Sequence, residues 1–440
     1  MKKRNKNLGQ ILYKRAKKII PGGTMLLSKR PEMFLPDNWP SYFSKAKDIN
    51  VWDLEGNKLI DMSIMGVGTN SLGYANKFVD LAVKKAISKG NLSTLNCREE
   101  VDLAEKLIEI NPWAQMVRFA RTGGEANSIA IRIARAASAK DGVAICGYHG
   151  WHDWYLASNL KNKNNLNTHL LSGLDVNGVP KSLIDTVFQF KYNDIEGLKR
   201  IIQNNKIGVI KMEVFRNIEP ENNFLHKVRE LANKNNIVLI FDECTSGFRE
   251  TYGGLYNKYN VIPDIVIFGK TLGNGYAITA VIGKYEVMNA AQSTFISSTF
   301  WTERIGPSAA LETLKIMKKE NSWQRITDLG IFMKNKISEL AKTNSLKLNF
   351  FGLPSISSFS FESSDHLKYK TYITQELLKL NYLASTQFYA STKHSEKQIS
   401  KFINKLEPVF KNIAKFENRD LDIDDFLDSP TCHSGFERLN

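Results

Sequence analysis

Two apolar runs each end in a side chain that could do chemistry. The run Ile237-Val-Leu-Ile-Phe241 is apolar at every position and continues into Asp242 and Glu243, the pattern of a central parallel strand buried on both faces. Ligands of open α/β sheets bind at the carboxyl ends of strands, so Asp242 stands where a cofactor would be; a carboxylate capping the next turn is the plainer alternative. The run Ile265-Val-Ile-Phe268 continues into Gly269-Lys270-Thr271. A phosphate-binding P-loop would need glycine at 264, where Asp264 stands. What is left is a lysine beside a buried strand, where desolvation would lower its pKa and make it a Schiff-base nucleophile. With 60 Lys and Arg in the chain, a lysine is ordinarily surface, and only its position singles out Lys270.

Two further groups belong at the same sheet edge. Arg121-Thr122-Gly123-Gly124-Glu125-Ala126 joins a strand to a helix. Paired glycines admit a ligand close to the backbone, and a helix amino end offers free N–H groups to an anion such as phosphate; a simple glycine turn would look the same. Tyr148-His149-Gly150-Trp151-His152-Asp153 follows another strand, and its rings could pack in the core or stack on a planar cofactor. A planar, phosphorylated, aldehyde-bearing cofactor would use all four groups: phosphate on Thr122, Gly123 and Gly124, ring over an aromatic, ring nitrogen on Asp242, aldehyde on Lys270. That describes pyridoxal 5'-phosphate.

The elements that must position these residues alternate between short β-branched runs and helical stretches from about 51 to 310, which predicts βαβ units and a parallel sheet. Strands are expected at 117–121, 143–146, 208–214, 237–242, 265–269 and 280–283. Residues 126–140 place Ile129, Ala130, Ile133, Ala134 and Ala137 on one helical face, and 219–236 reads as a second helix. Past about 318, helical stretches surround one expected strand region at 346–361. The expected organisation is an N-terminal segment, 1–60, packing with the small domain, a large cofactor-binding domain, 61–318, and a smaller α+β domain, 319–440.

Composition excludes several classes. The 440 residues are 42% hydrophobic and 24% charged, ordinary globular usage rather than disorder. Cys97, Cys146, Cys244 and Cys432 form no C-x-x-C pair and no Cys/His cluster at metal spacing, so neither a metal site nor a disulfide framework is expected. No apolar stretch approaches a membrane span, and 1–18 has no continuous apolar core, so no secretory signal is expected; a reducing cytoplasm is the expected location. The net charge of +15 invites nucleic-acid binding, but Lys2, Lys3, Arg4, Lys6, Lys14, Arg15, Lys17 and Lys18 crowd one end while 417–428 is acidic. Solvated lysine-rich faces account for this pattern better.

The sequence resembles the class III aminotransferases of fold type I, and within them the glutamate-1-semialdehyde 2,1-aminomutase branch. The matching runs are 20–23 (Ile-Pro-Gly-Gly), 52–61, 122–126, 148–150, 241–249 (Phe-Asp-Glu-Cys-Thr-Ser-Gly-Phe-Arg) and 269–275 (Gly-Lys-Thr-Leu-Gly-Asn-Gly). The resemblance implies an α/β fold: a large domain with a mostly parallel central sheet flanked by helices, plus a smaller α+β domain. It makes Lys270 the Schiff-base lysine and Asp242 the partner of the ring nitrogen, both catalytic. Thr122, Gly123 and Gly124 become the phosphate cradle, Tyr148 and His149 part of the cofactor site, Cys244 a packing residue on the other ring face, and Glu213 an acid near the ring hydroxyl. Thr299 corresponds to a threonine contributed to the neighbouring subunit's phosphate site, implying a homodimer with shared sites.

The sequence departs from the aminomutase pattern at three places. Ungapped counting puts Lys29 where the aminomutase holds its substrate carboxylate with arginine, and lysine is no bidentate substitute; 64–70 differs, and the run 300–307 is longer than usual. All three fall where a substrate would be read. An aminotransferase acting on a separate amino donor and a small or sugar-derived carbonyl acceptor is therefore expected ahead of intramolecular aminomutase chemistry.

Overall fold

The computed structural model describes residues 7–167, 169, 172–215 and 217–436. Lys2, Lys3, Arg4, Lys6 and the terminal Arg438 lie outside the described residues. Contacts divide the chain into two compact units: Lys77–Gln324, and Met1–Asn76 together with Arg325–Asn440. These limits differ from the 60 and 318 expected. The reason lies in the backbone of 62–71: Met62 N–H donates to Leu383 O at 2.8 Å, while Ser63 O and Ser71 O accept from Tyr389 and Thr392 N–H at 2.7 and 2.8 Å.

The larger unit is built on seven strands: β1 Met116–Ala120, β2 Gly142–Cys146, β3 Val187–Gln189, β4 Ile207–Met212, β5 Val238–Glu243, β6 Ile265–Phe268 and β7 Thr279–Gly283. Their order is β1-β7-β6-β5-β4-β2-β3. From β3 to β6 the neighbours are parallel, and β7 runs antiparallel to both β1 and β6. The connection from β6 to β7, residues 269–278, is too short for the helical crossover a parallel neighbour requires. It is also the segment that carries Lys270. The six expected strands are present; β3 was not anticipated, because three residues carry too little pattern to register.

Helix α1, Gly123–Ser138, buries Ala126, Ile129, Ala130, Ile133 and Ala134 against Val143, Ile145, Val209, Ile240, Ile267 and Val281 of the sheet. It starts three residues before the expected 126 because Thr122 caps it. Helix α2, Phe224–Lys234, is shorter than the expected 219–236, with Asn223 at φ +58° as its amino cap. In β5 side chains alternate between faces, so Asp242 shares the α1-covered face with Ile240. Lys211 of β4 is paired with Ile240 in the ladder and therefore shares that face too.

In the smaller unit, Leu348–Phe351 and Ile356–Phe361 form a hairpin extended by Gln387–Tyr389, where one strand region was expected; the turn contains Gly352 at φ +84°, a conformation glycine adopts freely. A second sheet joins Phe43–Lys47, Asn50–Asp53, Lys58–Asp61 and Tyr382–Leu383. Phe359, Phe361, Tyr369, Phe402, Phe410 and Phe416 centre its core.

Candidate active site

Lys270 leaves β6 through Gly269 and opens a turn, Lys270–Gly273, with its backbone at φ +41°. A non-glycine residue held there costs on the order of 1 kcal/mol and persists only where the surroundings dictate it. Its Nζ donates to Thr245 Oγ1 at 2.9 Å. Burial, then the neighbouring Arg249 guanidinium, lower the amine's pKa; Cys244, Glu213 and Asp242 act the other way without cancelling this. The buried Arg249 donates from Nε to Thr245 O, so one short turn fixes both cations.

Asp242, 5% exposed, ends the central strand. Its Oδ1 accepts the Cys244 N–H at 3.1 Å; its Oδ2 lies 2.9 Å from His149 Nδ1 and 3.8 Å from Lys211 Nζ. Burial pushes the carboxyl pKa up, but Lys211, the His149 hydrogen bond and the Cys244 amide together hold it well below the usual carboxylate range. His149 is pushed down to about 4, chiefly by burial. A neutral imidazole facing an ionised carboxylate carries its proton on Nδ1 and donates it to Asp242. That leaves Nε2 a buried acceptor with no partner.

The remaining expected residues surround this pair, with one exception. Tyr148 N–H donates to Glu213 Oε2 at 3.1 Å, and its half-buried ring meets Tyr155 edge-on at 5.9 Å. Between them Gly147 has φ +120°, and a Cβ there would stand 2.5 Å from Glu213 Oε2. Cys244 Sγ would be 3.5 Å from a Cβ on Gly123 and 3.1 Å from one on Gly269, so it lies between the glycine turn and the end of β6. A Cβ on Gly124 would stand 3.0 Å from the His152 ring. Thr122 serves the helix: its Oγ1 accepts Glu125 N–H at 3.3 Å, and Glu125 Oε2 accepts the N–H of Thr122 and Arg121 at 2.8 and 3.0 Å. This capping box leaves the N–H groups of Gly123 and Gly124 at the start of the helix, where they have no intrahelical acceptor. Thr299 is the exception: it is exposed on the turn Thr299–Thr302 and is not gathered with the others. Its segment is tied to α1 through Arg121, which donates to Trp301 O and Glu303 O at 2.9 Å, and through Trp301 Nε1, 3.2 Å from Glu125 Oε1.

An anion seat of two glycine amides, an amine with depressed pKa, an ionised carboxylate and a flanking aromatic ring suit a planar phosphorylated aldehyde, and the orphaned His149 Nε2 and Lys211 Nζ are polar atoms in its immediate surroundings. The aminotransferase class-III family model matches residues 36–377. The chain belongs to the class-III aminotransferases. This aminotransferase is therefore a pyridoxal 5'-phosphate enzyme. It is 33% identical over 379 residues to the 3-aminobutyryl-CoA aminotransferase of Cloacimonas acidaminovorans, covering 84% of this chain and 87% of that protein. It is 29% identical over 427 residues to the glutamate-1-semialdehyde 2,1-aminomutase of Methanocaldococcus jannaschii, covering 91% and 97%. Among solved structures, the FumI protein of Sphingopyxis sp. MTA144 superposes with TM-score 0.84 at 21% identity, covering 95% and 99%, and an omega-transaminase from Sphaerobacter thermophilus with TM-score 0.82 at 22% identity, covering 94% and 99%. At that identity the structures share its fold, type I α/β.

Sequence reasoning passed over Thr245, Arg249 and His152 as members of the aminotransferase site, and Lys211 altogether. Lys211 did leave a signal: it is the one charge in the otherwise uncharged strand Ile-Gly-Val-Ile-Lys-Met at 207–212, buried throughout.

Proposed function

We propose that this chain moves an amino group from an amino donor to a separate small or sugar-derived carbonyl acceptor. The observation that carries the reading is the placement of Lys270 Nζ on Thr245 Oγ1 and of Asp242 on His149, at the ends of neighbouring strands. Bound pyridoxal phosphate supplies an aldehyde that takes up amino groups and a ring that draws electrons from the substrate's α-carbon. Lys270 would anchor it through Nζ. Once released, that amine, made a weaker base by burial and Arg249, would accept a proton at Nζ and return it to a neighbouring carbon. Thr245 Oγ1 steers the amine by accepting its N–H. Asp242, ionised and held by His149 and the Cys244 amide, would keep positive charge at the ring nitrogen. Gly123 and Gly124 N–H would seat the phosphate at the amino end of α1, where the helix dipole favours an anion.

Two observations support a separate acceptor. Lys29, at the counted place of the aminomutase arginine, is exposed in the smaller unit, and a relative 33% identical is named an aminotransferase. The second reading, intramolecular amino transfer, has the support of relatives about as similar that are named aminomutases. A homodimer is part of the proposal, supported by exposed apolar residues of the larger unit: Phe295, Leu95, Phe300 and Trp151 are 84%, 80%, 70% and 70% exposed. The cytoplasm is proposed as its location; the four cysteines are free thiols. No helix among the described residues is long and apolar enough to cross a membrane.

The test is the visible spectrum of the cofactor-loaded protein before and after L-glutamate or another donor, with analysis of released keto acid. Loss of the absorption band with stoichiometric keto acid is expected. A band unchanged by a broad donor panel, alongside conversion of an amino-aldehyde with no donor consumed, would replace this reading with the intramolecular one.

A further inference from the structure

Lys211 is wholly buried, 0% exposed, in the middle of the central sheet, and its Nζ has no hydrogen-bond partner. A buried lysine without a hydrogen bond is costly and is not retained for packing, since an apolar side chain would fill the strand better. Its ion-pair partner is Asp242 Oδ2, at 3.8 Å; burial lowers the amine's pKa, and this carboxylate is the chief group opposing that shift. The ladder explains the meeting: Lys211 is opposite Ile240, and Asp242, two residues on, shares its face. Asp242's other side-chain neighbour, His149, donates as a neutral ring.

We propose that Lys211 is a positioning residue for the cofactor reaction: it is a fixed counter-cation that shares the Asp242 carboxylate with the ring nitrogen and so moderates the positive charge the site holds there. This rests on Asp242 being the ring nitrogen's partner. Lys211 neutralises the buried carboxylate before the cofactor enters, which keeps Asp242 ionised and pointed. With the cofactor in place, the two cations repel through their common anion, and the ring nitrogen is held less tightly than by a lone carboxylate.

The test compares the affinity of the apo-protein for pyridoxal phosphate with its affinity for the 1-deaza analogue, whose ring carries carbon where the nitrogen would be. Lys211→Met and Lys211→Gln both remove the charge, and circular dichroism checks that each folds. In the wild type, pyridoxal phosphate binds more tightly than the analogue. In both variants that preference is expected to rise on the order of tenfold, because a lone buried carboxylate demands a cation and penalises a C–H. Loss of packing alone would weaken both ligands alike and leave the ratio unchanged, and an unchanged or lower ratio in a folded variant overturns the proposal. If the wild type shows no preference, the assignment of Asp242 to the ring nitrogen falls, and this inference with it. If neither variant folds, Lys211 is a stability element and the proposal is rejected.

Discussion

At the scale of single residues, Lys270 and Asp242 differ in what surrounds them and so in what their loss should do. Lys270 is a partly buried amine beside Arg249, with one hydroxyl partner. Lys270→Ala should leave no cofactor covalently attached after borohydride reduction and should lower turnover by at least about 10³-fold; a retained adduct at this site would refute the assignment. Asp242 is an ionised acid with His149, Lys211 and the Cys244 amide around it. Asp242→Asn keeps the shape and removes the charge, and kcat should fall by on the order of 10²-fold or more while the borohydride adduct on Lys270 still forms. Both residues could be picked out from sequence, because each follows an apolar strand and the sheet places strand ends at a ligand. Thr245 and His152 could not, since a threonine and a second histidine carry no such pattern until the turns that aim them are known.

At the scale of elements, the start of α1 separates stability from binding. Thr122 spends its hydroxyl on the capping box with Glu125, while Gly123 and Gly124 keep open N–H groups. Thr122→Ala should therefore cost about 1 kcal/mol of stability, read by urea unfolding of the apo-protein, and change the Kd for pyridoxal phosphate less than about threefold. A larger loss of affinity with no loss of stability would make Thr122 a direct phosphate ligand. Gly147→Ala should do the opposite of a surface change: its φ of +120° and the 2.5 Å approach to Glu213 leave no room for a methyl group, so both stability and cofactor affinity should fall. The antiparallel β7 follows from connection length alone, and Lys270 opens that short link at the carboxyl end of β6.

At the scale of the whole molecule, the smaller unit carries a buried titratable group with a readable pH signature. His394 has Nδ1 accepting Ser391 N–H at 3.0 Å and Nε2 2.9 Å from Asp61 O, and burial pushes its pKa down to about 4. The unfolded chain takes up this proton near pH 6.5 and the folded chain only near 4, so stability is full above 6.5 and is lost as pH falls through that window. Glu243, raised to about 7 chiefly by burial, works in the other direction, so the comparison needs a variant. Calorimetry at pH 7 and 5 should show wild type losing roughly 2 kcal/mol more than His394→Asn over that interval; equal losses would show that the buried imidazole does not control the acid limb. Read alone, the sequence determined the α/β class, six of the seven central strands, the principal helix and the cofactor, because these depend on local period and on residues next to strand ends. The tertiary structure alone decided that 61–76 belongs with the smaller unit and that Lys211 meets Asp242. Each of these depends on a partner distant in the chain, and only strand register and the packing of α1 bring such partners within a few ångströms.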